Sequence, residues 1–261
     1  MDQKQINQSA EILWSHWMHS EQTDELPQQC RPSDRNQAYA IQAQVANLSG
    51  QQVFGWKIAA TSDAGQKHIG VDGPLAGRLL SNRVMDSGSR LPLGQNLMKV
   101  AEAEFAFRMR KSLPPRTGEY SMEQVLDAVA TLHPAIEIPD SRYRDFANVG
   151  AAQLIADNAC ACWFALGPAT TEDWRKYDLA SHEVTLWRNE ALAADGCGAN
   201  VLGDPRIALT WIANELRSHN IGLRAGEVVT TGTCVLPHAI APGDSIRAEF
   251  GELGSVALTI E

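Results

Sequence analysis

No stretch of this chain is apolar for long enough to cross a membrane, and no run of basic residues stands anywhere in it. Lysine and arginine number 22 against 31 aspartates and glutamates, a formal net charge of −9, which argues against nucleic acid or an anionic membrane surface as the main partner. Cysteine is scarce: the five (Cys30, Cys160, Cys162, Cys197, Cys234) are odd in number and scattered, so a disulfide framework is not expected. Cys160 and Cys162 form a C-x-C with no second pair, a poor zinc site. The first residues, MDQKQINQ, have neither the basic start nor the apolar segment of a signal peptide, and with the free thiols they predict a soluble cytoplasmic protein. Internal repeats and low-complexity tracts are also missing. What is present is ordinary for a globular chain: 44% hydrophobic and 20% charged over 261 residues, enough to bury a sizeable core.

Apolar Ile6, Ala10, Leu13, Trp14, Trp17 and Met18 recur at helical spacing and predict an amphipathic first helix. After a polar loop, Ser33 or Asp34 is set to cap a second helix reaching Leu48 and ended by Gly50. Residues 1–50 thus read as a helical N-terminal region and 51–261 as the main domain. QVFGWKIAAT, from Gln52 to Thr61, reads as a strand carrying Lys57 among apolar neighbours, where a lysine either snorkels to solvent or serves a site. Ser62 caps a short helix that leads into a turn-rich GVDGPLAGRLL. Ser121 with Gln124 makes a capping box for a helix expected to run to Leu132 and to stop at Pro134. Residues 151–166 read as a helix rich in small residues. Asp204 and Pro205 open a firm helix through Leu216, and the tail from Glu227 is all strand signals. A few helices among many short strands predict an α+β fold with a substantial, mostly antiparallel sheet system.

VAEAEFAFRMR, Val100 to Arg110, alternates as a half-buried strand, with Glu102, Glu104, Ala106 and Arg108 on one face. Two carboxylates on adjacent same-face positions repel, and a cation is the usual remedy; a solvated outer face of an edge strand gives the same pattern. A third carboxylate, Glu137, stands alone in the apolar run Ala135 to Ile138, where it is costly unless paired, metal-bound or at an exposed edge. Three carboxylates would supply half of an octahedral oxygen shell, the preference of Mg²⁺ or Mn²⁺. The spacing leaves open whether the two strands meet.

GWKIAAT, QKHIGVDGPLAGRLL, AEAEFAF, PAIEIPDSR, IADNA, and LRAGEVVTTG with PGDSIRAEFGELGSV together resemble the 2-keto-4-pentenoate hydratase and 2-oxo-3-hexenedioate decarboxylase branch of the fumarylacetoacetate hydrolase superfamily, from about residue 35 to the C-terminus. The resemblance implies a β-rich core of rolled, mostly antiparallel mixed sheets with flanking helices, assembled as a homo-oligomer. It implies that Glu102, Glu104 and Glu137 hold Mg²⁺ or Mn²⁺ and that Lys57 stands beside a small 2-keto acid. The implied activity is a metal-dependent hydro-lyase, most simply hydrating 2-hydroxypenta-2,4-dienoate-type acids to 4-hydroxy-2-keto acids in aromatic catabolism. Decarboxylation of a 2-oxo-3-hexenedioate-type acid is the alternative, and a complex with a paralogous decarboxylase or hydratase is a further implied partner.

Lys57, beside a metal and in apolar surroundings that would lower its pKa, is the candidate for proton transfer or for neutralising the substrate's charge, and Asp72 is a second proton-handling candidate. The TTGT turn offers Thr231, Gly232 and Thr233 as substrate donors through hydroxyls and backbone N–H groups. His68 and His133 rank below these. Arg78, Arg83, Arg142 and Arg144 read as surface charges first and carboxylate partners second. Two positions depart from the family pattern where substrate handling is expected: Leu75, where an acidic residue is common, and the Thr231 to Cys234 turn. Two further alternatives are an acylpyruvate hydrolase using Glu11 with His16 or His19 on an N-terminal lid, and a non-catalytic subunit that binds metal without turnover.

Overall fold

The computed structural model describes residues 1–261. Helix α1 (Gln3–His19) begins at a reciprocal capping box between Asp2 and Gln5 and buries Ala10, Leu13 and Trp17. Asp34 caps α2 (Arg35–Ser49), which closes at Gly50 in the left-handed region. Strand β1 (Val53–Ala59) follows, and Ser62 caps the short α3 (Asp63–His68).

The expected turn at GVDGPLAGRLL is only partly one. Leu75–Leu80 is a strand, β2, buried at every position, so its apolar run reflects burial on both faces and hides the alternation of a half-exposed strand. Strands β3 (Val84–Asp86) and β4 (Arg90–Leu91) lead to β5 (Val100–Met109), the E-x-E strand.

The capping box at Ser121 starts α4 (Met122–Asp127), but this helix ends five residues before Leu132, and Val129–Ile138 is one long strand, β6. Pro134 does not end an element; it lies inside β6 opposite Phe105. The Phe105 carbonyl accepts from Thr231, on the side away from β6, so Pro134 occupies a non-hydrogen-bonded position of that ladder and its missing N–H costs nothing there.

The expected helix over 151–166 also divides, into α5 (Ala151–Ala156) and strand β7 (Trp163–Leu166). The break is made by Asn158, Ala159 and Cys160, all at positive φ (59°, 49° and 62°). Strands β8 (Glu183–Arg188) and β9 (Ala191–Cys197) form a hairpin through Asn189 and Glu190, both left-handed as a two-residue primed turn requires. Asp204 and Pro205 open α6 (Pro205–Ser218). The tail supplies β10 (Val228–Thr233), β11 (His238–Ala239), β12 (Ser245–Glu249) and β13 (Ser255–Ile260).

These strands make two curled sheets. One runs β2-β1-β10-β5-β6-β7-β3 with β11 beside β5, and the other runs β4-β13-β12-β8-β9. Most pairs are antiparallel; β1 with β10, β3 with β7 and β4 with β13 are parallel. A core of 57 buried apolar residues joins both sheets, and Leu13, Trp17, Tyr39 and Val45 of the N-terminal helices belong to it. Phe105, on the face of β5 opposite the glutamates, ties the sheets together by packing edge-on against Phe250 at 4.9 Å.

Phe105→Ala removes that contact from a site that is 1% exposed and is expected to cost about 3–5 kcal/mol. Urea unfolding checks this, and a change below about 1 kcal/mol would show that the sheets are joined elsewhere.

A candidate metal centre on the rolled sheet

The residues that alternate on β5 also alternate against their neighbours. Register puts Glu102 directly opposite Glu137 of β6 and Glu104 opposite Ala135, so all three carboxylates leave the same face. On that face Lys57 of β1 lies beside Thr230 of β10, and Thr230 lies beside Ala106 of β5. One oxygen from each glutamate falls within 4.8 Å of the others.

Glu104 and Glu137 are wholly buried, Glu102 is half-buried, and Lys57 is 3% exposed. Lys57 therefore does not snorkel. Its Nζ lies 3.0 Å from Glu137 Oε1 as an ion pair and donates to the Ala159 carbonyl at 3.0 Å. Glu104 Oε2 accepts from Thr230 Oγ1 and from the Gly232 N–H at 2.9 Å. Only glycine fits at 232: its φ is 101°, and a Cβ built there would lie 2.1 Å from Thr61 Oγ1.

Glu104 Oε1 and both oxygens of Glu137 are buried with no hydrogen-bond donor; the geometry at Lys57 is that of an ion pair only. Three carboxylates with one ammonium leave two uncompensated negative charges in a largely buried pocket, where protons or a cation would neutralise them. Burial is the largest effect on each glutamate. Raised further by their mutual repulsion and eased by Lys57, Glu102 and Glu104 are pushed up to about 7 and Glu137 to about 8. An all-oxygen set with unpartnered lone pairs converging on one point fits a hard divalent cation such as Mg²⁺.

The Lys57 pKa is set by two opposed effects. Burial alone pulls it down, but Glu137, Glu102 and Glu104 together hold it above the usual lysine value.

Asp72 is not brought to the glutamates. Its side chain is 93% exposed and its partner is Arg35 at 3.6 Å, because the segment after α3 turns it outward. Thr231, Gly232 and Thr233 are not a turn with free donors; they continue β10, and each is engaged within the protein. Thr231 donates to the Phe105 carbonyl, Gly232 to Glu104, and Thr233 to the Val235 carbonyl.

His133 lies within β6, not at a helix end, and bonds to Thr131 and the Gly167 carbonyl. His68 stacks edge-on against Phe146. His16 pairs with Glu21 at 3.3 Å and lines a cavity of about 120 Å³ that contains none of the three glutamates, while His19 bonds to the Ser15 carbonyl. A hydrolytic His and Glu pair on α1 is therefore not assembled at this centre.

Two arginines read as surface charges prove buried. Arg142 is locked to Asp157, and Arg78 stacks on Trp56 at 4.6 Å and donates to Gln42. Their only signal in the sequence was position inside or beside an apolar run. The Ala159 carbonyl on Lys57, which no side-chain pattern announces, was not foreseen.

Residues 81–261 match the model of the fumarylacetoacetate (FAA) hydrolase C-terminal family. The chain is 34% identical over 236 residues to a 2-keto-4-pentenoate hydratase of Burkholderia vietnamiensis, covering 88% of this chain and 87% of that protein. It is 28% identical to a 2-oxo-hept-4-ene-1,7-dioate hydratase of Escherichia coli, with 84% of each chain covered. Among solved structures, 4-oxalocrotonate decarboxylase from Pseudomonas putida G7, complexed with magnesium and adipate, superposes with a TM-score of 0.90 over 100% of this chain and 99% of that one. At 24% identity that likeness carries the fold alone.

Two outcomes follow from the geometry. Glu104→Ala is expected to abolish the rise in melting temperature on adding Mg²⁺, and Asp72→Ala to leave it intact; equal responses would place the ion elsewhere. Because the glutamates must lose their protons to bind a cation, Mg²⁺ affinity measured by calorimetry is expected to weaken about tenfold or more from pH 8 to pH 6. A flat profile over that range would mean that the carboxylates are already ionised in the metal-free protein.

Proposed function

The chain belongs to the fumarylacetoacetate hydrolase family, and from that premise we propose that it is a divalent-metal-dependent hydro-lyase that converts 2-hydroxypenta-2,4-dienoate-type acids to 4-hydroxy-2-keto acids. The observation that carries the reading is the convergence of Glu102, Glu104 and Glu137 on one point beside the buried ammonium of Lys57. The hydratase names of its relatives, the first of them 34% identical, support the reaction type, and the products place it in the breakdown of aromatic compounds.

Glu102, Glu104 and Glu137 would hold Mg²⁺, or Mn²⁺ with the same ligand preference. The chemistry such an ion supplies is Lewis-acid polarisation of the C2 oxygen of a bound 2-keto acid or its dienol. Thr230 and the Gly232 N–H fix Glu104 by occupying one of its oxygens, so its other oxygen is held toward the site. Half-buried Glu102 marks the side from which solvent and substrate reach the site.

Lys57, held between Glu137 and the Ala159 carbonyl, is the proton carrier and the counter-charge for the substrate carboxylate. Protonation of the dienol at C5 gives a conjugated enone, and water then adds its hydroxyl at C4 and its proton at C3. The buried walls around Lys57 and the two inner glutamates exclude bulk water, so the adding water is the one admitted with the substrate.

One observation favours a second reading, decarboxylation of a 2-oxo-3-hexenedioate-type acid. With Asp72 turned to solvent and apolar Leu75 on the Lys57 face of β2, Lys57 is the one ammonium beside the glutamates, and loss of carbon dioxide needs a single protonation afterwards.

The test offers 2-hydroxypenta-2,4-dienoate, 2-oxo-3-hexenedioate and an acylpyruvate to the purified protein with Mg²⁺, followed by absorbance and proton NMR, with Glu104→Ala as control. Loss of dienol absorbance with a new C4 carbinol signal, absent in the control, is the expected result. Turnover of the hexenedioate alone would transfer the assignment to decarboxylation, and no turnover of any would sink both.

A further inference from the structure

The three residues Asn158, Ala159 and Cys160 lie consecutively at left-handed φ although none is glycine, a conformation that persists only where surrounding contacts hold it. The Asn158 side-chain amide clamps the backbone of Arg78 at both ends: Oδ1 accepts the Arg78 N–H at 2.7 Å, and Nδ2 donates to the Arg78 carbonyl at 2.6 Å. In effect the amide pairs with the free edge of β2 as another strand would.

On its other side the segment is anchored through Asp157, which takes Arg142 and the Ser141 hydroxyl. The approach to β2 depends on a missing side chain. A Cβ built on Gly77 would lie 2.0 Å from the Asn158 carbonyl oxygen, and Gly77 is the residue directly opposite Lys57.

The result of this bracing is one hydrogen bond. The Ala159 carbonyl, turned inward by the left-handed run, accepts from Lys57 Nζ at 3.0 Å and holds the ammonium beside Glu137. A lysine has four side-chain torsions, so a fixed acceptor is what selects one position for its proton.

We propose that Asn158 is a positioning residue for Lys57, acting through the amide clamp on Arg78 that aims the Ala159 carbonyl at the ammonium. The proposal rests on the reading of Lys57 as the proton carrier. Asn158 touches neither the glutamates nor the metal position, so its loss should change what Lys57 does and spare what the glutamates bind. Gly77→Ala should act in the same direction by pushing the segment off β2.

The experiment compares Asn158→Ala, Asn158→Asp and Gly77→Ala with wild type in steady-state turnover of 2-hydroxypenta-2,4-dienoate, in Mg²⁺ calorimetry, and in the ¹H–¹⁵N signal of the Lys57 ammonium. Asn158→Ala and Gly77→Ala are expected to lower kcat about 10- to 100-fold with KM and Mg²⁺ affinity held within about twofold. Asn158→Asp keeps the oxygen that accepts from the Arg78 N–H but sets a carboxylate oxygen against the Arg78 carbonyl where the amide donated, so it should lower kcat as Asn158→Ala does. A wild-type kcat in Asn158→Ala would overturn the proposal. So would a joint fall of kcat and Mg²⁺ affinity in both Asn158→Ala and Gly77→Ala, since that is damage to the fold. If wild type does not turn the dienoate over, the functional reading fails on its own account, and the Lys57 ammonium signal decides the positioning: unmoved in Asn158→Ala, it refutes it.

Discussion

Two glutamates placed directly opposite each other across an antiparallel ladder, with a third two residues along, are the constraint on which this site depends. Glu102 and Glu137 face each other at a hydrogen-bonded pair of β5 and β6, where side chains of like charge ordinarily repel. Burial makes that repulsion stronger, because nothing inside the protein screens charge as water does. The surrounding structure answers it with groups that stabilise negative charge. Lys57 reaches across from β1, while Thr230 and the Gly232 N–H take one oxygen of Glu104. Glu104 Oε1 and Glu137 Oε2 are left without a donor, an arrangement that fits a hard cation.

The same strand serves two purposes because its period is two. Even-numbered positions of β5 carry the glutamates, and odd-numbered positions carry Ala103, Phe105 and Phe107 into the main core against the second sheet and its flanking residues. Along the glutamate face a separate small apolar cluster of Leu79, Ala106, Ala135, Phe164, Leu166 and Val228 continues from the site. It fills the curl of the sheet beside the carboxylates. Water is thereby kept from the inner side of Glu104 and Glu137, and half-buried Glu102 remains the open side.

Members of one family can share a metal site and differ in what they do with the enolate it stabilises. In this chain the difference falls on the elements around Lys57. Leu75 presents an alkyl group on the Lys57 face of β2, and Asp72 is paired with Arg35 outside. Lys57, the proposed proton carrier, has its own position set by backbone: Gly77 opposite it, the Ala159 carbonyl before it, and three left-handed residues behind. Strain of this kind near a reacting group is a common place for a fold to store positional information.

Local pattern sufficed wherever one residue's neighbours in sequence were also its physical partners. The caps of α2, α3, α4 and α6 and the alternation of β5 were all legible, since capping and pleating act over two to four residues. Family resemblance added the three glutamates and Lys57. Elements failed where long-range burial overrode local preference. LAGRLL hid a strand because both its faces are covered, Pro134 sat harmlessly inside β6 because its N–H site faces away from β5, and the helix after Gly150 was cut short by the clamp of Asn158 on a strand 80 residues earlier. The sequence by itself determined which side chains stand out: two carboxylates on one face of one strand, a third inside an apolar run, and a lysine among apolar neighbours. Only the tertiary structure decided that β5 and β6 pair with Glu102 against Glu137, that Asp72 faces solvent, and that the Ala159 carbonyl meets Lys57. Those are distances between residues far apart in the chain, and no local preference encodes them.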